Sequence, residues 1–209
     1  MKVGILLFDE VDLLDAGGPY EVFHTASRLA VREGTPPPFD VVTVGRDHEP
    51  VAAYGGLGLI PHLSIDEARD LDMLVVPGAV AIDKVIGNAP LMDELRHAVR
   101  KTPVVSSVCT GAFILGELGL LEGRPWTTHW EDVESLRIRV NGPGQPWVRW
   151  IDSGDVVTSG GLSSGIAMAL HIVDRFGGRD LAVRTARQLE YDWSPEEGQD
   201  ASSGDGVPR

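Results

Sequence analysis

Short runs of consecutive apolar residues alternate along the chain with longer amphipathic stretches. The short runs are rich in valine, isoleucine and leucine, which is typical of strands buried on both faces of a parallel sheet. They are Val3–Phe8, Phe39–Val44, Met73–Val76 and Val104–Val108. The longer stretches are spaced as helices with one buried face, and they are Tyr20–Arg32, Leu91–Arg100, Ala112–Leu121 and Gly165–Phe176. The alternation predicts an α/β fold with a doubly wound, mostly parallel sheet sandwiched by helices.

Three segments depart from this rhythm. Val51–Ile60 contains three glycines, and Trp147–Thr158 alternates around Gly154. Both patterns indicate β-hairpins. Residues 194–209 carry almost no large apolar side chain, so we expect a disordered acidic tail rich in glycine and serine. Residues 1–193 then form a single domain.

Length, charge and cysteine content narrow the class of protein. A chain of 209 residues is long enough for one well-buried domain. Its formal net charge of −13 argues against a nucleic-acid partner. The opening apolar run is too short for a signal peptide or a membrane span, so we expect a cytoplasmic protein with no membrane partner. One cysteine and histidines without paired spacing predict no disulfide and no metal site.

The cysteine lies in a motif with chemical meaning. Ser107-Val108-Cys109-Thr110-Gly111 follows a predicted strand and opens a predicted helix, in the small-x-nucleophile-x-Gly form of a nucleophile elbow. The strained turn requires small flanking residues and raises the side chain at the carboxyl edge of the sheet. The helix N-terminus favours a thiolate, and the Thr110 N–H faces a developing anion. The alternative is an inert cysteine packed under the helix, which the small flanks disfavour.

With these residues in view, five stretches resemble one family. They are GILLFDEVDLLDAGGPYEVF, VVPGA, SVCTGAFILGELGLLEGRPWTTHW, TSGGLSSGIAMALHIV and RQLEYDW. Together they resemble the ThiJ/PfpI superfamily of class I glutamine-amidotransferase-like folds, and within it the isonitrile hydratase (isocyanide hydratase) branch. The resemblance covers residues 1–193 and implies a flavodoxin-like catalytic domain that forms homodimers and needs no cofactor.

The same resemblance implies roles for individual residues. Cys109 attacks the terminal carbon of an isonitrile, and Asp15, in a D-x-x-G-P loop, assists as general acid. Thr110 after the cysteine matches the branch. The backbone N–H groups of Thr110 and Ala79 are implied to form an oxyanion hole, although the family turn Pro-Gly-Gly ends here in Ala79. Trp193 stands where the branch usually has proline.

Several roles stay open at the level of sequence. Asp15 fits either catalysis or an N-cap for the helix expected near Pro19. His129 fits either acid–base catalysis or pocket lining. Gly78 and Gly161 are candidate pocket residues. The glycine-rich stretch at 160–165 lacks the lysine of a phosphate-binding loop, which makes a nucleotide role weak.

The expected reaction is therefore hydration of an isonitrile to an N-substituted formamide through a cysteine thioimidate, by a lyase acting on a small molecule. One alternative is a glyoxalase or deglycase-like enzyme that uses His129 as its base on small dicarbonyls. Another is a redox sensor or chaperone with an oxidisable, low-pKa Cys109. Related regulators of the AraC type fuse this domain to a DNA-binding module. The acidic end of this chain disfavours that reading.

Overall fold

The computed structural model describes residues 1–201. Within that range the strands are β1 Lys2–Leu6, β2 Asp40–Gly45, β3 Val51–Ala52, β4 Gly58–Leu59, β5 Leu63–Ser64, β6 Met73–Val76, β7 Val104–Val108, β8 Trp150–Asp152, β9 Val156–Ser159 and β10 Gln199–Asp200. The α-helices are α1 Leu13–Arg32, α2 Ile82–Ile86, α3 Ala89–Val99, α4 Gly111–Glu117, α5 Val133–Arg137, α6 Ser164–Gly177 and α7 Arg179–Gln188. The four predicted helices correspond to α1, α3, α4 and α6, whereas α2, α5 and α7 were not predicted.

Eight of the strands form one sheet, in the order β10-β8-β9-β7-β6-β1-β2-β5. Within residues 1–201 its pairs are parallel, except for the antiparallel pair of β8 and β9. Strands β6 and β7 are buried along their whole length, which explains why they are nearly continuous apolar runs. The predicted mostly parallel α/β fold is confirmed.

Helices cover the sheet in two groups. Helices α1, α6 and α7 pack on one another, while α4 packs on β6 and β7 and contacts α2 and α5. The helices bury apolar side chains in the core, as Phe23 of α1, Ile114 of α4 and Leu170 of α6 show. Helix α4, packed on β6 and β7, begins just after the end of β7, where the candidate site lies.

Helix α1 begins earlier than the sequence indicates. Asp12 is its N-cap, with a carboxylate that accepts a hydrogen bond from the Leu14 N–H at 3.3 Å. Pro19 lies inside the helix, so the expected start near this residue is wrong. In the sequence, Gly18 and Pro19 have the pattern of helix breakers. In the fold, Gly18 instead lets α1 pack closely on α6, because a Cβ there would lie 3.0 Å from Ile166. Asp15 therefore belongs to the first turn of α1.

The two predicted hairpins are confirmed as β3–β4 and β8–β9. The expectation of disorder from residue 194 is wrong for residues 194–201, while residues 202–209 lie outside the described range. A 3-10 turn over Pro195–Glu197 leads into β10, which pairs with β8. Gly198 lies directly against the Trp150 ring, where a Cβ would clash. This segment is held by backbone hydrogen bonds, which a search for large apolar side chains does not detect.

Candidate active site

Cys109 lies on a sharp turn between β7 and α4. Its backbone φ is 56°, a left-handed conformation that costs free energy in a residue with a side chain. The surroundings impose it, because the Cys109 N–H donates to the carbonyls of Ser159 and Gly160 at 3.2 and 3.1 Å. The Cys109 carbonyl accepts a hydrogen bond from the Thr128 hydroxyl at 2.8 Å. The turn is therefore held from both sides.

The small residues around Cys109 have a steric reason. A Cβ on Gly111 would lie 2.2 Å from the carbonyl oxygen of Val76, so only glycine lets α4 start so close to β6. Ser107, two residues before the cysteine, is fully buried in β7. The motif has the strand–turn–helix geometry that its sequence predicts.

Asp15 is completely buried beside the cysteine. Its Oδ2 accepts a hydrogen bond from the Gly78 N–H and its Oδ1 accepts one from the Leu162 N–H, both at 3.1 Å. The carboxyl group and the Cys109 thiol also act on each other electrostatically, since the thiol lowers the pKa of Asp15 and the carboxylate charge raises the pKa of the thiol. Since Asp12 caps the helix, the capping role considered for Asp15 is wrong. The carboxyl group instead faces the sulfur.

Burial decides the protonation of Asp15. Loss of water, followed by the nearby charge of Asp12, raises its pKa to about 7, against the opposing effect of the two backbone donors. No cation contacts this carboxyl group among the salt bridges of residues 1–201. It therefore exchanges its proton near neutral pH, as a general acid or base requires.

The Cys109 thiol is shifted in the same direction. Burial first, and then the negative charge of Asp15, raise the pKa of Cys109 to about 12, while the Thr110 N–H hydrogen bond to sulfur opposes the shift. The expected thiolate, stabilised by a helix N-terminus, is therefore wrong for the resting protein, because desolvation and carboxylate charge outweigh that effect. Above about pH 7 and below about pH 12 the pair holds an ionised Asp15 beside a neutral thiol. One proton serves both groups.

The turn at Gly78 and Ala79 does not match the predicted oxyanion hole. The Ala79 N–H donates to the Thr110 hydroxyl oxygen at 2.9 Å, and that hydroxyl donates to the Ala79 carbonyl at the same distance. Ala79 is thus occupied, and the N–H that faces sulfur belongs to Thr110. Gly78 is required, since a Cβ there would lie 2.5 Å from the Thr110 hydroxyl and 2.9 Å from the Asp15 carboxyl group.

His129 lines the site without joining the pair. Its Nδ1 lies 3.5 Å from the Asp132 carboxylate and 3.7 Å from that of Glu131. Its ring packs on Gly161, where a Cβ would lie 2.2 Å from the imidazole carbon. Among the hydrogen bonds of residues 1–201, none connects His129 with Cys109 or Asp15. This position supports the pocket-lining role and not the acid–base role, and Gly161 provides the space for the ring.

Leu162 is a residue that the sequence did not single out. It has a φ of 51°, unusual for a leucine, and this conformation directs its N–H at Asp15. Ser163 is held in turn by the Tyr191 hydroxyl, which donates to its carbonyl at 3.2 Å. The glycines at 160 and 161 were the only local sign that the chain bends here.

Residues 1–201 contain no group of three or more histidine, cysteine, aspartate or glutamate side chains able to hold a metal ion. No helix in the same part of the chain is long and apolar enough to cross a membrane.

The fold and the elbow define an α/β protein with a half-buried cysteine and a buried carboxylate at the carboxyl end of the inner strand β7. The model of the DJ-1/PfpI family matches residues 1–175, and the chain belongs to this family. The isonitrile hydratase of Pseudomonas putida is 32% identical over 208 residues, which is 100% of this chain and 85% of that protein. The transcriptional regulator GbdR of Pseudomonas aeruginosa is 26% identical over 91% of this chain, which spans 51% of the regulator.

Solved structures share the fold. A ThiJ/PfpI family protein from Pseudomonas syringae superimposes with a TM-score of 0.80 at 23% identity, covering 93% of this chain and 76% of that one. Drosophila melanogaster DJ-1beta superimposes with a TM-score of 0.76 at 17% identity, covering 91% of this chain and 98% of its own. At these identities the structures support the fold alone.

Proposed function

We propose that this protein hydrates isonitriles, converting R–N≡C and water into the formamide R–NH–CHO. The observation that carries the proposal is the Asp15–Cys109 pair, which shares one proton because the pKa of Asp15 is about 7 and that of Cys109 about 12. The 32% identity with an isonitrile hydratase supports it independently. The proposal includes the homodimeric, cytoplasmic and cofactor-independent form that sequence and resemblance imply.

In the first half of the reaction the pair adds across the isonitrile carbon. The Asp15 carboxylate takes the thiol proton as Sγ forms a bond to the terminal carbon. The electron pair of the broken C–N π bond goes to nitrogen, and the lone pair that the carbon already carried takes the proton back from Asp15. The product is the thioimidate R–N=CH–S, and Asp15 is again a carboxylate. No thiolate has to exist in the resting protein.

Water completes the reaction through the same carboxyl group. Asp15 takes a proton from water as the oxygen attacks the thioimidate carbon, and it delivers that proton to the nitrogen. It then takes the hydroxyl proton as the carbonyl forms and the C–S bond breaks, and returns it to the departing sulfur. The Thr110 N–H stabilises negative charge on sulfur at departure. A pKa near 7 suits a group that must accept and donate in each half.

The two alternatives receive less support. A dicarbonyl enzyme of the kind considered needs His129 as its base, and the imidazole faces Asp132 and packs on Gly161 instead. A redox sensor needs a thiolate that forms readily, whereas burial raises the pKa of Cys109 to about 12.

The test is direct. Purified protein is mixed with tert-butyl isonitrile, phenyl isonitrile or methylglyoxal, and products are followed by NMR. We expect formamide from the isonitriles, and Cys109→Ser should remove turnover while the circular dichroism spectrum stays unchanged. Conversion of methylglyoxal alone, or a Ser variant that keeps a tenth of the rate, would refute the proposal.

A further inference from the structure

A cleft lies next to the cysteine–carboxylate pair. Its volume is about 360 Å³, and it is lined mainly by the segments at 128–130, 147–149 and 160–164. Two of its lining residues also hold the pair, since Leu162 donates to Asp15 and Gly160 accepts from the Cys109 N–H. Thr128, a third lining residue, holds the Cys109 carbonyl. Residues that hold the reacting pair therefore form part of the cleft wall, although neither Cys109 nor Asp15 is itself among the lining residues.

Two tryptophans at this cleft are unusually exposed. Trp130 and Trp147 have 53% and 78% of their surface accessible, although indole rings are normally well covered. The rings stack with centroids 5.3 Å apart and planes 19° apart. Trp147 also has a φ of 68°, a conformation that a bulky residue rarely adopts. The chain keeps a strained backbone and two exposed aromatic faces at this cleft.

Resting on the proposed hydratase function, we propose that this cleft binds the nitrogen substituent of the isonitrile and that Trp130 and Trp147 select aryl substituents. An isonitrile is linear at R–N≡C, so a substrate whose terminal carbon meets Sγ must place its substituent away from the sulfur. A stacked indole pair offers a flat apolar face suited to an aromatic ring. The volume is sufficient for one ring with small substituents.

Charge around the sulfur restricts the substituent further. Asp12, Asp15 and Asp132 all act on the Cys109 thiol electrostatically. Glu131 adds a carboxylate at the His129 ring, on the same side as Trp130. Arg149 also lines the cleft, but its guanidinium is paired with the Glu197 carboxylate at 3.2 Å. A negatively charged substituent therefore meets mainly carboxylates and would be repelled. The substrate class is therefore a neutral aryl isonitrile.

The experiment compares kcat/KM for phenyl, tert-butyl and 4-carboxyphenyl isonitrile. Wild-type protein should favour phenyl over each of the others by at least tenfold. Trp130→Ala and Trp147→Ala should each lower the phenyl value about tenfold and the tert-butyl value less than threefold. Tyr54→Ala is the matched control, because Tyr54 is 58% exposed on the β3–β4 hairpin and does not line the cleft. Trp147→Phe, which keeps an aromatic ring, should retain the phenyl preference.

Binding of N-phenylformamide, followed by quenching of tryptophan fluorescence, gives a readout without turnover. We expect saturable quenching that Trp147→Ala weakens and Tyr54→Ala does not. If both isonitriles turn over but the tryptophan variants leave their ratio unchanged, the inference is wrong and the proposed function stands. If those variants instead convert a dimer to a monomer and slow both substrates equally, the indoles belong to a subunit contact and the inference is again wrong. If wild-type protein turns over no isonitrile, the proposed function itself fails.

Discussion

Two aspartates are buried within residues 1–201, and their surroundings differ. In that range Asp15, 0% exposed, receives its hydrogen bonds from two neutral backbone N–H groups. Asp152, 2% exposed, lies 2.7 Å from the His171 Nε2 and 3.2 Å from the Arg175 guanidinium. One carboxyl group is buried without a cation, and the other is buried with two basic partners.

The difference shows that burial alone does not assign a role to a carboxyl group. Without a cation, desolvation outweighs the neutral donors and raises the pKa of Asp15 to about 7, where it exchanges protons. Asp152 instead ties α6 to β8, and Trp150 stacks on His171 with centroids 3.6 Å apart. The first environment suits chemistry, and the second holds an edge of the sheet.

The largest expected effect is a difference in kcat/KM between the Asn variants of the two aspartates. Asp15→Asn should lower kcat/KM by at least about a hundredfold, because the amide cannot take the thiol proton. Asp152→Asn should keep kcat/KM within about threefold at a temperature where it is folded, since Asp152 belongs to the β8 edge. Steady-state kinetics on both variants measures the contrast. Equal losses would remove the distinction between the two sites.

For thermal stability the two variants should rank the other way, with Asp152→Asn affected more than Asp15→Asn. Asp152→Asn leaves Arg175 and His171 without their carboxylate, and breaking such a pair costs on the order of 3 kcal/mol. Tm should then fall by several degrees. Asp15→Asn should change Tm less, because no salt bridge is lost. Differential scanning calorimetry of both variants checks this. A larger fall in Asp15→Asn would mean that Asp15 is mainly structural.

A smaller effect on stability is expected from removing β10, which covers the sheet edge at β8 near Asp152. Ending the chain after Trp193 removes β10, the hydrogen bond from the Ala201 N–H to the Asp152 carbonyl and the cover of the Trp150 ring. We expect a loss on the order of 1–2 kcal/mol of unfolding free energy in urea. Ending the chain after Ala201 keeps these contacts and is the control. Identical midpoints for the two truncations would show that β10 contributes nothing.

Local patterns in the sequence were sufficient for the elbow and for the strands other than β5 and β10. Runs such as Val104–Val108 carry the period of a buried strand, and Ser107 and Gly111 mark the tight turn around Cys109. Helix α7 escaped prediction because it buries few large side chains, mainly Leu181 and alanines. The helix breaker at Pro19 misplaced the start of α1 because tertiary packing overrides the local signal.

The electrostatics of the site depend on contacts that no local pattern contains. Leu162 reaches Asp15 across 147 residues of chain, and the Ala79 N–H is taken by a hydroxyl 31 residues away. Desolvation is a property of the folded neighbourhood, so the elbow motif alone pointed to a thiolate where the fold favours a thiol. The family resemblance identified Asp15 as a candidate, but only the folded structure shows that Gly78 and Leu162 are its hydrogen-bond partners.

The pH dependence of kcat/KM tests the one-proton pair most directly. Below the raised pKa of Asp15 the pair holds two protons and the thiol has no base, so kcat/KM for an isonitrile should fall about tenfold per pH unit below about 7. Above that pH it should reach a plateau that extends beyond pH 9, since the thiol pKa is about 12. Asp15→Asn should lose the inflection. An inflection near pH 4, or a rate that keeps rising through pH 9 with thiol ionisation, would contradict the account.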